Sequence, residues 1–208
     1  LYQPGNTPNA IYYRDLVDPL HPKLDGPVVP LLGRFDADYN VLGNHGDTFY
    51  VSTNLDAVRG RIVAIDLKAP ALASWKTLVP ESGDNFNVAH YFGGRFVVEY
   101  LHDAKSRLAV FAGDGKSLGD IPLPGIGSVG GVSGREDETE IFFDFSSYLS
   151  PGAVLRHDLD TGKTSVFQEA AIAFDPARFE TEQVWVTSKD GTRIPMFVTH
   201  RKGLVLDG

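Results

Sequence analysis

Short apolar runs that end in a polar turn recur along the chain at a nearly fixed interval. Ile11-Tyr12-Tyr13-Arg14-Asp15-Leu16, Ile62-Val63-Ala64-Ile65-Asp66-Leu67, Leu108-Ala109-Val110-Phe111-Ala112-Gly113-Asp114 and Val154-Leu155-Arg156-His157-Asp158-Leu159 form one series, and their aspartates stand 51, 48 and 44 residues apart. A second series keeps the same phase: Asp47 to Thr53, Gly94 to Tyr100 and Thr139 to Phe145, with starts 47 and 45 residues apart. Runs of this length, rich in β-branched and aromatic residues, read as strands. Two further strands complete each unit. The inner ones are Tyr39 to Leu42, Asn87 to Phe92 and Ser128 to Val132; the outer ones are Val28 to Leu32, Lys76 to Val79, Asp120 to Leu123 and Ser165 to Gln168. Asn44-His45-Gly46-Asp47, Gly93-Gly94, Asp114-Gly115 and Asp160-Thr161-Gly162 supply hairpin turns that accept positive φ.

A four-strand antiparallel unit repeated every 44 to 51 residues is the pattern of a propeller blade. A β-sandwich also uses short strands, but it has no reason to repeat four by four. The reading is therefore all-β: about three and a half blades between Leu1 and Ala173, fewer than the roughly four to eight that close a ring. The rhythm then breaks. Gln183 to Ser188, the turn Lys189-Asp190-Gly191-Thr192, and Arg193 to His200 read as one long hairpin with no blade after it, the opening of a second domain. The expected organisation is propeller blades over 1–180 and the first hairpin of another domain over 181–208.

Composition refines this picture in a few places. The net charge of -8, with 19 scattered lysines and arginines, argues against a phosphate-backbone partner, so no nucleic acid is expected. No apolar run is long enough to span a bilayer, and no membrane partner is expected. The absence of cysteine removes disulfides, cysteine-zinc sites and thiol catalysis, yet leaves cytoplasmic and periplasmic locations both open. The chain begins at Leu1 rather than Met and ends at Asp207-Gly208, which suggests processing or excision from something longer.

At this point the chain resembles the prolyl oligopeptidase family. Ser188-Lys189-Asp190-Gly191-Thr192-Arg193-Ile194-Pro195-Met196-Phe197, followed by Lys202-Gly203, is similar to the segment where those enzymes pass from propeller into α/β-hydrolase domain. Thr139 to Phe143 with Phe145 to Gly152 resembles their last full blade, and Tyr100-Leu101-His102-Asp103 and Thr53-Asn54 resemble earlier ones. The resemblance implies roughly half of a seven-bladed propeller, a serine endopeptidase that cleaves proline-containing oligopeptides, and the protein's own α/β-hydrolase domain as partner to the blades. It also implies that the triad serine, aspartate and histidine, and the oxyanion segment, come after Gly208. No catalytic, cofactor-binding or metal residue is thereby expected within these 208 residues, and no cofactor. A dipeptidyl-peptidase or acylaminoacyl-type enzyme on the same architecture, and a non-enzymatic protein-binding propeller, are the alternatives.

The chemical motifs present each have a structural explanation. Gly115-Lys116-Ser117-Leu118-Gly119 fits the G-x-S-x-G of a nucleophile elbow, but that motif needs a helix after the serine, and Pro122 and Pro124 forbid one. The expected reading is a hairpin turn. The same Gly-Lys-Ser is no phosphate loop, since Val110 stands where the leading glycine belongs. Gly125, Gly127 and Gly130 match a dinucleotide fingerprint, but Gly131 and Gly134 follow where a helix is required; a close-packed inner strand is expected. Asp158-Leu159-Asp160-Thr161-Gly162 lacks the full ligand set of a calcium loop. His21, His45, His90, His102, His157 and His200 show no zinc-like spacing. His102 with Asp103 is a poor start for a triad, since neighbouring strand residues point to opposite faces. Asp36, Asp38 and Glu136 single out no glycosidase pair and are expected on a solvated rim.

Overall fold

A computed structural model describes residues 8–18, 20–171 and 173–205. The outermost parts of the two expected domains, 1–7 and 206–208, lie outside these, including the termini at Leu1 and Asp207-Gly208. Among the described residues sixteen strands run in order: β1 (Ile11–Tyr13), β2 (Val29–Leu32), β3 (Tyr39–His45), β4 (Thr48–Thr53), β5 (Arg61–Asp66), β6 (Lys76–Val79), β7 (Asn85–Phe92), β8 (Arg95–His102), β9 (Lys105–Ala112), β10 (Ser117–Ile121), β11 (Ser128–Gly134), β12 (Glu140–Ser147), β13 (Ser150–Asp158), β14 (Lys163–Glu169), β15 (Phe179–Thr187) and β16 (Arg193–Arg201). They form three four-stranded sheets, β3-β4-β5-β6, β7-β8-β9-β10 and β11-β12-β13-β14, flanked by the pairs β1-β2 and β15-β16. This is the all-β, partial β-propeller expected from the repeat, with the half blade at β1-β2.

The boundaries differ from the expectation where side chains intervene. The first run stops at Tyr13 rather than Leu16, because the Asp15 carboxylate accepts the Val17 amide at 2.8 Å and Val17 takes φ +67°. Local capping of this kind competes with ladder bonds. Inner strands β3 and β11 carry register shifts at Val41/Gly43 and Gly130/Ser133. The second shift depends on Gly131, at φ +59°, where a Cβ would sit 2.8 Å from an Asp144 carboxylate oxygen.

The chain divides into two compact units, one running to Phe86 and including Asp114–Lys116, the other made of the remainder. In the first unit, Leu31, Leu32, Tyr39, Val51, Val63 and Ile65 form the core, with Trp75 against it. In the second, Phe92, Val97, Leu108 and Ile121 of one sheet meet Val132, Ile141, Phe143 and Leu155 of the next. Burying each such side chain contributes about 1.5–3 kcal/mol. Central strand β8 is buried from Phe96 to Tyr100 on both faces, which is why Phe96-Val97-Val98 is continuously apolar rather than alternating, while the buried Glu99 accepts the Ser106 hydroxyl at 3.2 Å.

Candidate functional site

The sequence motifs resolve into structural roles. Ser117 opens β10 directly after a turn at Gly115, φ +91°, and a strand rather than a helix follows. A Cβ at Gly115 would lie 2.9 Å from Leu78 Cα and closer still to its carbonyl. At Gly127 it would lie 2.6 Å from the Phe145 ring, whereas Gly125 and Gly130 face open space, so close packing holds for only part of that glycine series. Asp158 accepts the amides of Asp160 and Thr161 at 2.9 and 2.8 Å, which lowers its pKa and commits the carboxylate to its hairpin, the Thr161 amide contributing most.

The acids considered for glycosidase chemistry are also engaged. Asp36 accepts the Tyr39 hydroxyl at 2.6 Å, and Asp38 accepts from Asn54 at 3.1 Å. Burial first, and then Asp36, raise the Tyr39 pKa and keep that hydroxyl a donor. Glu136 lies on an exposed turn whose carbonyl accepts the Gly93 amide at 2.8 Å.

Among the histidines, His90 stacks on Phe92 and His157 bonds the Thr164 hydroxyl at 2.8 Å; burial lowers both pKa values. His102 corrects one expectation. Asp103 is not a strand residue but the first position of the β8-β9 turn at φ +49°, and this brings its carboxylate 3.5 Å from the His102 ring instead of to the opposite face.

The β15-β16 hairpin concentrates the remaining chemistry. Its register runs without a break from Phe179↔Arg201 to Thr187↔Arg193. Asp190 closes the tip by accepting the Ser188 hydroxyl and, at 3.0 Å, the Thr192 amide; these bonds, the Ser188 hydroxyl first, lower its pKa to about 2. Strand alternation gives the hairpin two distinct faces. On one, the Gln183 side-chain amide donates to the Asp103 carbonyl at 2.6 Å and its oxygen accepts from Lys105 at 3.0 Å. Phe197 on the same face meets Tyr148 of the β12-β13 turn at 5.8 Å. A cavity of about 250 Å³ lies between, lined by Lys105, Gly127, Ser146, Tyr148 and Phe197 among others. On the other face, Val186, Ile194 and Met196 are 41–44% exposed. Beside them Glu180, Glu182 and His200 each place one potential ligand atom within 4.8 Å of the others. The β8-β9 turn escapes sequence reading because Asp103 and Ala104 take positive φ without glycine. The Glu-Glu-His group escapes it because only the cross-strand register brings residues 20 positions apart together.

Among the described residues, no helix is long and apolar enough to cross a membrane. Residues 4–170 match the family described as prolyl oligopeptidase, N-terminal beta-propeller domain. A prolyl endopeptidase of Elizabethkingia meningoseptica is 32% identical over 200 residues, covering 96% of this chain and 27% of that protein. A dual function macrocyclase-peptidase of Amanita bisporigera is 32% identical over 193 residues, covering 88% of this chain and 26% of its own length. The solved apo structure of prolyl oligopeptidase B from Galerina marginata superposes with a TM-score of 0.88 at 26% identity, over 100% of this chain and 30% of that one. The chain thus spans under a third of the proteins it matches.

Proposed function

The chain belongs to the prolyl oligopeptidase family through its N-terminal β-propeller domain, and on that premise we propose that it is the later part of a gating propeller in a serine endopeptidase that cuts short peptides after proline. The triad and oxyanion donors lie outside this chain, and the β15-β16 hairpin opens the α/β-hydrolase domain. The observation that carries this reading is the hairpin itself. It lies wholly past residue 170, where the family match stops, and it is fastened to blade turns through Gln183 and Phe197. The tip half of its outward face, Val186, Ile194 and Met196, is apolar and open, as a first strand pair awaiting the rest of a sheet would be. On this reading propeller blades occupy 1–180 and the first hairpin of the second domain occupies 181–208, with β15 beginning at Phe179.

In this arrangement the blades contribute access rather than chemistry. Unstructured oligopeptides enter and folded proteins are excluded by size, while opening between domains admits substrate. The strand pair around Asp190-Gly191, whose tip is closed by the Asp190 bonds, is where this reading places the hinge. The test compares the intact gene product with the 208-residue chain on blocked proline peptides, on free-amine peptides and on a folded protein containing prolines. The reading expects cleavage of blocked short peptides by the intact product alone. A strict need for a free amino terminus would favour the dipeptidyl type, removal of a blocked N-terminal residue the acylaminoacyl type, and absence of any peptidase activity a binding propeller.

A further inference from the structure

The outer strands share an irregularity that stands independently of the peptidase reading. In β1-β2, β5-β6, β9-β10 and β13-β14 the pairing skips one residue, always on the outer strand: Leu31 in β2, Leu78 in β6, Leu118 in β10 and Phe167 in β14. The central ladders β4-β5 and β8-β9 run without a shift. We propose that this extra residue closes each outer edge to strand addition, and that β14, whose edge otherwise fits a second copy of this chain, depends on it most.

Side-chain packing does not account for the repetition. Leu31 and Leu78 are buried, whereas Leu118 and Phe167 are 51% and 64% exposed. What the four share is a backbone position on a strand at the edge of its sheet. Such a strand presents a row of unpaired N–H and C=O groups, a template on which another chain can lay a strand. One extra residue kinks that row and increases its local twist. The outward-pointing groups before and after it then fall out of phase, so a regular partner can follow the edge up to the bulge but not across it.

Three of the edges carry a further obstacle. Pro30 in β2 has no N–H to offer. Strand β6 spans four residues and meets Pro80 at once, and β10 turns through Gly119 at φ +103°. Strand β14 has no such device. It runs for seven residues, all exposed, with neither Gly nor Pro, and among the described residues no strand pairs with its far side. Its charges, Lys163 and Glu169, stand at its two ends, so the bulge at Phe167 guards the middle. Without Phe167 the strand reads Lys-Thr-Ser-Val-Gln-Glu. Antiparallel pairing with a second copy, centred on Val166, then sets Ser165 against Gln168 and Thr164 against Glu169, with no like charges opposed.

The test is deletion of Phe167 from the 208-residue chain, read by amide exchange of β14 at rising protein concentration and by sedimentation. In the parent, the outward amides of β14 should exchange at a rate that concentration does not alter. In the deletion variant they should slow at least tenfold as a dimer forms. The deletion takes away an exposed ring, so this association cannot be ascribed to added apolar surface. Phe167→Ala, which removes the ring but keeps the extra residue, should behave as the parent. Deletion of Val166 removes the extra residue but keeps the ring, and it decides the matter if the first variant does not melt cooperatively. A folded deletion variant whose β14 exchange stays independent of concentration overturns the proposal, since a bulge that served only to twist the sheet would give that result. Concentration-dependent protection of β14 in the parent, or in Phe167→Ala, equally overturns it.

Discussion

Adding one methyl group at Gly115 separates a hairpin tip from a nucleophile elbow. Gly115 stands at φ +91°, a region in which an L residue is strained by about 1–3 kcal/mol. The added Cβ would meet Leu78 at 2.9 Å from its Cα and closer to its carbonyl, so backbone rather than a flexible side chain must yield, adding about 1–3 kcal/mol of overpacking. Gly115→Ala should therefore destabilise the unit containing both residues by about 2–6 kcal/mol. Ser117 is exposed and accepts a weak 3.4 Å contact from the Gly119 amide, so Ser117→Ala should change stability by no more than about 0.5 kcal/mol. Urea unfolding followed by Trp75 fluorescence reads this unit, since the indole packs on its core and bonds the Pro70 carbonyl at 3.0 Å. At about 2–3 kcal/mol per molar urea, the upper part of the usual range, the Gly115→Ala midpoint should fall by about 0.7–3 M. An unchanged midpoint would mean that the tip is not packed as described. Peptide cleavage by this chain that Ser117→Ala abolishes would reinstate the elbow.

Gln183→Ala removes two hydrogen bonds worth about 1 kcal/mol each; amide exchange across β15-β16 should quicken about tenfold or more while β8 stays protected, and unaltered exchange would dismiss Gln183 as a fastening. Asp190 has its folded-state pKa lowered from 3.8 to about 2, so its contribution is complete above pH 4 and disappears as pH falls through 2. Exchange at the hairpin tip should accelerate over that window in the parent chain and be flatter in Asp190→Asn, and equal slopes would count against the turn bonds. Burial lowers the His157 pKa below 6.5, so the unfolded chain takes up the proton first and stability declines as pH drops below about 6.5. His157→Gln should lessen that decline between pH 6.5 and 5, and a melting profile indistinguishable from the parent would contradict the assignment.

The blades are legible in the sequence because each strand is short, apolar on at least one face and bounded by turn residues, and because the repeat cross-checks every assignment. Val28 to Leu32 against β2 and Lys76 to Val79 against β6 show how closely strands follow from pattern. Boundaries suffer where a side chain captures the backbone, as Asp15 does after Tyr13. The hairpin is legible from Asp190-Gly191, but its extension back to Phe179 is not, since Phe179-Glu180-Thr181-Glu182 carries two acids where a strand signal would be sought. Those same acids, with His200, form a group that depends on register, and register is a property of paired strands rather than of either alone.

Among the described residues, every sheet joins strands that are consecutive in the chain. A nascent polypeptide can therefore complete each four-stranded sheet as soon as its fourth strand leaves the ribosome, without waiting for distant sequence, and the low entropic cost of loop closure favours stepwise folding. It follows that cutting the gene within the connections between sheets, near residues 80–84 or 122–127, should yield pieces that associate again, whereas a cut inside β8 or β12 should not.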